Sequence, residues 1–177
     1  MIISEKNRLF QADQVIKPRI QEHIEWLKEE ENEIEEKLRD LISSDPDMRE
    51  KMDILRSAKG IGDVSAFSLL AEVPELGILT VKEISALIGV APFNRDSGKM
   101  RGKRHTKGVR YTARAAFYMA TLTAIRFNPV IKRFYEHLLS RGKEKKVALV
   151  ACMRKFIVIL NAMIRDRKPF LVQSSYL

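Results

Sequence analysis

Apolar residues recur along the first quarter of the chain with a helical period. Ile20, Ile24, Leu27, Ile34, Leu38 and Leu41 are spaced 4, 3, 7, 4 and 3 residues apart, a heptad seam in which Glu31 takes the missing position. The pattern predicts a helix-forming stretch from about Glu5 to Ser43, with Pro18 as a kink or restart. A seam this narrow calls for a partner helix, so residues 1–45 are expected to form a coiled-coil-like arm that packs back on the chain or pairs with a second copy. The clustered Glu29, Glu30, Glu31, Glu33, Glu35 and Glu36 fit a solvated helix face better than a metal site.

Beyond the turn signal SSDPD, the pattern shifts to short helices for a domain over 46–177. Met48 to Ala58 reads as one helix; KGIG interrupts it, and Asp63 is placed to cap a second helix that stops at Pro74. Helix, Gly-Ile-Gly turn, helix is similar to a helix-hairpin-helix element. In that arrangement Lys59, Gly60 and Gly62 would hold a phosphate at a helix N-terminus without reading sequence. The alternative is an ordinary corner in which Ile61 plugs the core. Val81 to Ile88 forms a short helix. Tyr111 to Ile125 is apolar on most faces, as a deeply packed helix would be, and further helices run from Asn128-Pro129 to Leu139 and from Lys145 to Ile164. No strand pattern is evident. The expected fold class is all-α: a bundle of five or six helices behind the N-terminal arm.

Charge divides the chain. Met1 to Val90 carries 12 Lys and Arg against 19 Asp and Glu, whereas Ala91 to Leu177 carries 20 against 4. The second half therefore asks for an acidic partner. Its cations gather between the helices of Val81 and Tyr111, where Arg95, Lys99, Arg101, Lys103, Arg104, Lys107 and Arg110 face one anion, Asp96, and Gly98, Gly102 and Gly108 punctuate the chain. A segment with no apolar periodicity and this charge density is expected to be an exposed loop shaped for a polyanion, DNA in the first instance. Arg110 and Arg114, four residues apart, share one helix face directed back toward it.

Ser97, followed by Gly98, is the one hydroxyl at the centre of this loop. A serine attacking a phosphodiester would form a phosphoserine link that conserves the bond for religation, provided a base takes its proton and cations stabilise the phosphoryl oxygens. Read from the residues alone, a serine before glycine is more often a turn residue. His105 is a candidate base; Asp96 adjoins the serine but would point elsewhere in an extended loop and is not named as the base; Tyr111 and Tyr118 are rival nucleophiles, Tyr118 the weaker because its neighbours suggest burial. His23 and His137 have no partner at metal-ligand spacing and read as surface residues; Trp26 reads as packing beside the seam. Cys152, the single cysteine, sits in an apolar run and reads as a buried thiol. With no signal-peptide core at the N-terminus and no stretch approaching the ~20 apolar residues that span a bilayer, the expected setting is a reducing cytoplasm.

The combination AKGIGDVSAFSLLAEV followed by TVKEISALIGVAPFNRDSGKMRGKRHTKGVRYTARAAFYMATLTAIRFNP resembles the C-terminal domain of the IS110/IS116/IS902 insertion-sequence transposases, over roughly Met48 to Arg167. The resemblance implies that Ser97 is the nucleophile of DNA strand exchange. It also implies a separate RuvC-like domain whose four acidic residues hold magnesium, and, in members that use one, a guiding bridge RNA. This chain shows no RuvC-like strands or acidic tetrad, so it has the look of a fragment or truncated copy, with no cofactor of its own and little activity alone. The competing expectation is a non-catalytic module that grips nucleic-acid backbone through the glycine hairpin and basic loop.

Overall fold

A computed structural model describes residues 1–93, 105–106 and 110–171. Its fold is all-α: α1 (Ile2–Gln11), α2 (Lys17–Ser44), α3 (Pro46–Ser57), α4 (Asp63–Glu72), α5 (Val81–Leu87), α6 (Tyr111–Phe127), α7 (Pro129–Ser140) and α8 (Lys145–Asp166). One antiparallel ladder interrupts the helices, pairing β1 (Pro92–Phe93) with β2 (His105–Thr106). The chain divides into two compact units, Met1–Arg49 and Glu50–Leu177.

In the first unit α1 folds back on α2, and Pro18 falls in the first turn of α2, where a missing amide hydrogen costs nothing. The heptad seam is divided: Ile20, Ile24 and Leu27 are buried, whereas Ile34, Leu38 and Leu41 stay exposed. Ten residues of α1 reach only part of a 28-residue helix, which leaves the far half of the stripe uncovered. The Asp45 carboxylate accepts from the amides of Asp47 (2.9 Å) and Met48 (3.3 Å), and Pro46 opens α3.

The second unit is built around α8, which packs against α5, α6 and α7, while α6 also packs on α4. The rings of Phe117 on α6 and Phe156 on α8, both fully buried, stack with centroids 5.6 Å apart. By length and composition alone α8 could cross a membrane, contrary to the sequence expectation. Ala148, Leu149, Cys152, Met153, Phe156, Ile157, Leu160, Met163 and Ile164 are instead buried inside the bundle, so the apolar run is that of a core helix. Two buried amides lock connections onto this core. Asn161 accepts from the Gly77 amide and donates to the Leu79 carbonyl, both at 2.8 Å. Asn128 caps α7 by accepting from the amides of Val130 and Ile131, and it donates to the Lys59 carbonyl.

Candidate nucleic-acid interface

The Gly-Ile-Gly turn is held by packing. Gly60 has φ +110°, and a Cβ built on it would lie 2.7 Å from Ala124 Cβ and 2.8 Å from Ala124 Cα, so only glycine lets the turn rest on α6. Ile61 is buried, as the plain corner reading expects. Gly62 is the N-cap of α4, one residue earlier than expected, because Asp63 already lies in the helix and pairs with Arg56 at 3.0 Å. Gly62 and Lys59 are exposed at this helix start, so a phosphate has access, yet the Asp63 carboxylate in the first turn opposes an anion there.

Arg95, Asp96, Ser97, Lys99, Arg101, Lys103, Arg104 and Lys107 lie outside the described residues, and so does the expected exposure of their loop. Its flanks are described. Pro92 pairs with Thr106 and Phe93 with His105, which sets the residues flanking 94–104 side by side. A pairing of two residues per strand carries no alternating pattern in sequence, which is why it was not foreseen. On the α5 side the ladder follows a turn in which the Ser85 carbonyl accepts from the amides of Val90 and Ala91.

The two arginines beyond the ladder are committed to the fold. Both terminal nitrogens of Arg110 donate to the Glu75 carboxylate at 2.7 Å, and Nη1 also donates to the Glu72 carbonyl. This fork of hydrogen bonds holds the Glu75 carboxyl below the ordinary carboxylate range and raises Arg110 in turn. Arg114 Nη1 donates to the Gly89 carbonyl at 2.5 Å, tying α6 to the end of α5. Together they fasten the start of α6 to the two connections that precede the ladder. Glu75 was not singled out in sequence, because a lone acid in a short connection carries no signal of a partner 35 residues away.

The rival groups are placed as follows. Tyr111 opens α6 and is 80% exposed; Tyr118, the other rival nucleophile, is 39% exposed. His23 stacks on Trp26 with ring centroids 5.9 Å apart, and its Nδ1 lies 3.7 Å from Glu5. His137 is exposed on α7. Cys152 is fully buried and its thiol is pushed up to about 11 by that burial, so it has no thiolate to offer at neutral pH. Among the described residues no three His, Cys, Asp or Glu side chains come together in a way that could hold a metal ion.

Residues 52–136 match the model of the Transposase IS116/IS110/IS902 family. The pilin gene-inverting protein of Moraxella bovis is 24% identical over 173 residues, 96% of this chain and 54% of that protein. A 42 kDa protein of insertion element IS900 from Mycobacterium paratuberculosis is 30% identical over 122 residues, 67% of this chain and 30% of its own length. A 44.8 kDa protein of insertion element IS116 from Streptomyces clavuligerus is 29% identical over 149 residues, covering 82% and 35% respectively. The chain spans about half the length of the Moraxella protein and a smaller share of the others.

Proposed function

We propose that this chain supplies the serine-bearing part of a transposase or DNA-inverting recombinase, with Ser97 as the nucleophile. The observation that carries the reading is the ladder of Pro92–Phe93 with His105–Thr106, fastened behind by Arg110 and Arg114. It gives segment 94–104, which contains Ser97, Arg95, Lys99, Arg101 and Arg104, a fixed base from which to meet a sugar-phosphate chain. Ser97 Oγ would attack phosphorus, its proton passing to a base and the displaced strand leaving as a hydroxyl. The loop cations would stabilise the phosphoryl oxygens. Arg110 and Arg114 act as braces in this scheme, since their donors already serve Glu75 and the Glu72 and Gly89 carbonyls.

Magnesium, implied for a RuvC-like acidic domain, finds no matching donor set among the described residues here. Strand exchange is accordingly a property proposed for the whole protein, with a bridge RNA where one is used. Assembly would use the exposed Ile34, Leu38 and Leu41 of α2. In an inversion or excision assay with the whole protein, Ser97→Ala is expected to abolish strand exchange while DNA binding persists. A DNA-linked peptide containing Ser97 would be trapped from the unaltered protein. Undiminished exchange by the alanine variant rejects the reading and leaves the non-catalytic gripping module.

A further inference from the structure

The cations of the described fold are distributed unevenly between those with carboxylate partners and those without. Arg8, Lys37, Arg39, Arg56, Arg110, Arg165 and Arg167 each face an acid within 3.4 Å. Along α7 and its connection to α8 the opposite holds. Lys132, Arg133, Arg141, Lys143, Lys145 and Lys146 are all exposed, and among the described residues none meets a carboxylate. The two acids of the same stretch, Glu136 and Glu144, are also exposed and pair with none of them. Arg133 spends only its Nε on the Pro129 carbonyl.

The corner that carries four of these cations has a defined backbone. The Lys143 amide donates to the Leu138 carbonyl at 3.1 Å and the Gly142 amide to the Leu139 carbonyl at 2.9 Å, with Gly142 at φ +73°, the hydrogen-bond pattern of a Schellman cap. Lys145 and Lys146 then occupy the first turn of α8, which has no acid, so their charge opposes the helix dipole. Across the hairpin, Lys155 Nζ on α8 lies 4.5 Å over the Phe134 ring of α7, tying the two helices together. Charge that does not serve the fold, set on a capped corner, is what a polyanion contact requires. The 17 residues of α6, about 25 Å at 1.5 Å per residue, separate Arg110 from the start of α7.

We infer that the α7–α8 corner is a second surface for duplex DNA, gripping phosphates of the backbone independently of the loop around Ser97. The inference rests on the nucleic-acid reading above, but not on Ser97 chemistry. The test titrates the full chain with a 30-base-pair DNA duplex and, separately, a 30-base-pair RNA duplex at several salt concentrations. Lys143→Gln with Lys145→Gln and Lys146→Gln is expected to lower the salt slope by about 2.7, or 0.9 for each of three lost phosphates, and to weaken binding on the order of 100-fold at 0.15 M salt. A loss confined to the RNA duplex overturns the assignment to DNA.

A matched variant, Arg56→Gln with Arg165→Gln and Arg167→Gln, loses the same charge from cations that already have carboxylate partners, and should change the slope by less than about 1. Lys132→Gln with Arg133→Gln provides a second, independent reduction. The corner variants should melt with the parent, and the matched variant, which loses three exposed ion pairs, within a few degrees of it, about 2–4 °C per kcal/mol lost. Equal losses from the corner and matched variants, or an unchanged slope in the corner variant, overturn the inference. If Arg101→Gln with Lys103→Gln and Arg104→Gln weakens binding while the corner variant does not, the loop reading stands alone; the reverse result leaves the corner and removes the loop. Binding to phosphatidylserine vesicles without binding to either duplex overturns both.

Discussion

Replacing Gly60 with alanine separates the two meanings of the Gly-Ile-Gly turn. At φ +110° an L-residue is strained by about 1–3 kcal/mol. The added Cβ would also sit 2.7–2.9 Å from the Cβ, Cα and amide nitrogen of Ala124, so helix backbone has to move, which adds about 1–3 kcal/mol of overpacking. The sum, about 4 kcal/mol, is a large share of the ~5–15 kcal/mol that holds a domain together and corresponds to a melting shift of about 12 °C. Gly62→Ala is the internal comparison, with φ in the ordinary range and nothing within 4 Å of the new Cβ; it should shift melting by no more than about 3 °C, from the weaker N-cap. Thermal unfolding followed by circular dichroism reads both variants, and duplex titration reads their affinity. A Gly60→Ala protein that melts within 3 °C of the parent refutes the packing argument. Gly62→Ala that binds duplex normally removes the phosphate contact from this turn.

Other perturbations test the remaining joints. Asn161→Ala leaves the Gly77 amide and the Leu79 carbonyl without their side-chain partner, and urea unfolding should show a loss of about 3 kcal/mol; a loss below about 1 kcal/mol would mean that water replaces the amide. Because Glu75 titrates below its ordinary value of 4.5 when folded, its pairing with Arg110 contributes stability above that pH and loses it as the pH falls through the lower folded value. Glu75→Gln should therefore melt below the parent at pH 7, with the gap closing in acid; a gap that is constant from pH 7 to pH 3 sinks the assignment. Cys152, buried with its thiol near 11, should resist iodoacetamide at pH 8 in the folded protein and react on unfolding, as intact-mass measurement will show.

Periodicity exposed most of this fold to sequence reading, and its failures have physical causes. The bundle helices were legible because Leu149, Met153, Phe156, Ile157 and Leu160 repeat at core spacing and because Asn128-Pro129 is a strong helix start. The Gly60 constraint was half legible: glycine announces a turn, but not that Ala124, 64 residues on, occupies the space a side chain would need. Arg110 and Arg114 were read as cations for a ligand; the partners they have at the start of α6, Glu75 and the Gly89 carbonyl, leave no periodic trace. Counting charge finds cations; only coordinates show which of them are already spent.

That distinction bears directly on where a polyanion would be held. A basic residue braced by a carboxylate adds little field and keeps its geometry, whereas one with no acid near it keeps its full charge for an incoming phosphate. By this criterion Arg110, whose guanidinium already serves Glu75, would add little grip, whereas the proposed corner would draw a phosphate backbone through Lys143, Lys145 and Lys146. The acidic first half of the chain makes the arrangement directional. Lys37 and Arg39 on α2 are matched by Glu33 and Glu35 one turn away, so the arm offers a phosphate backbone repulsion rather than purchase. A nucleic acid approaching this protein should therefore settle on the second unit, and cross-linking of duplex to lysines should recover peptides from 132–146 in preference to those from 17–44. Equal recovery from both stretches would show that the acid-rich arm does not repel a duplex as argued.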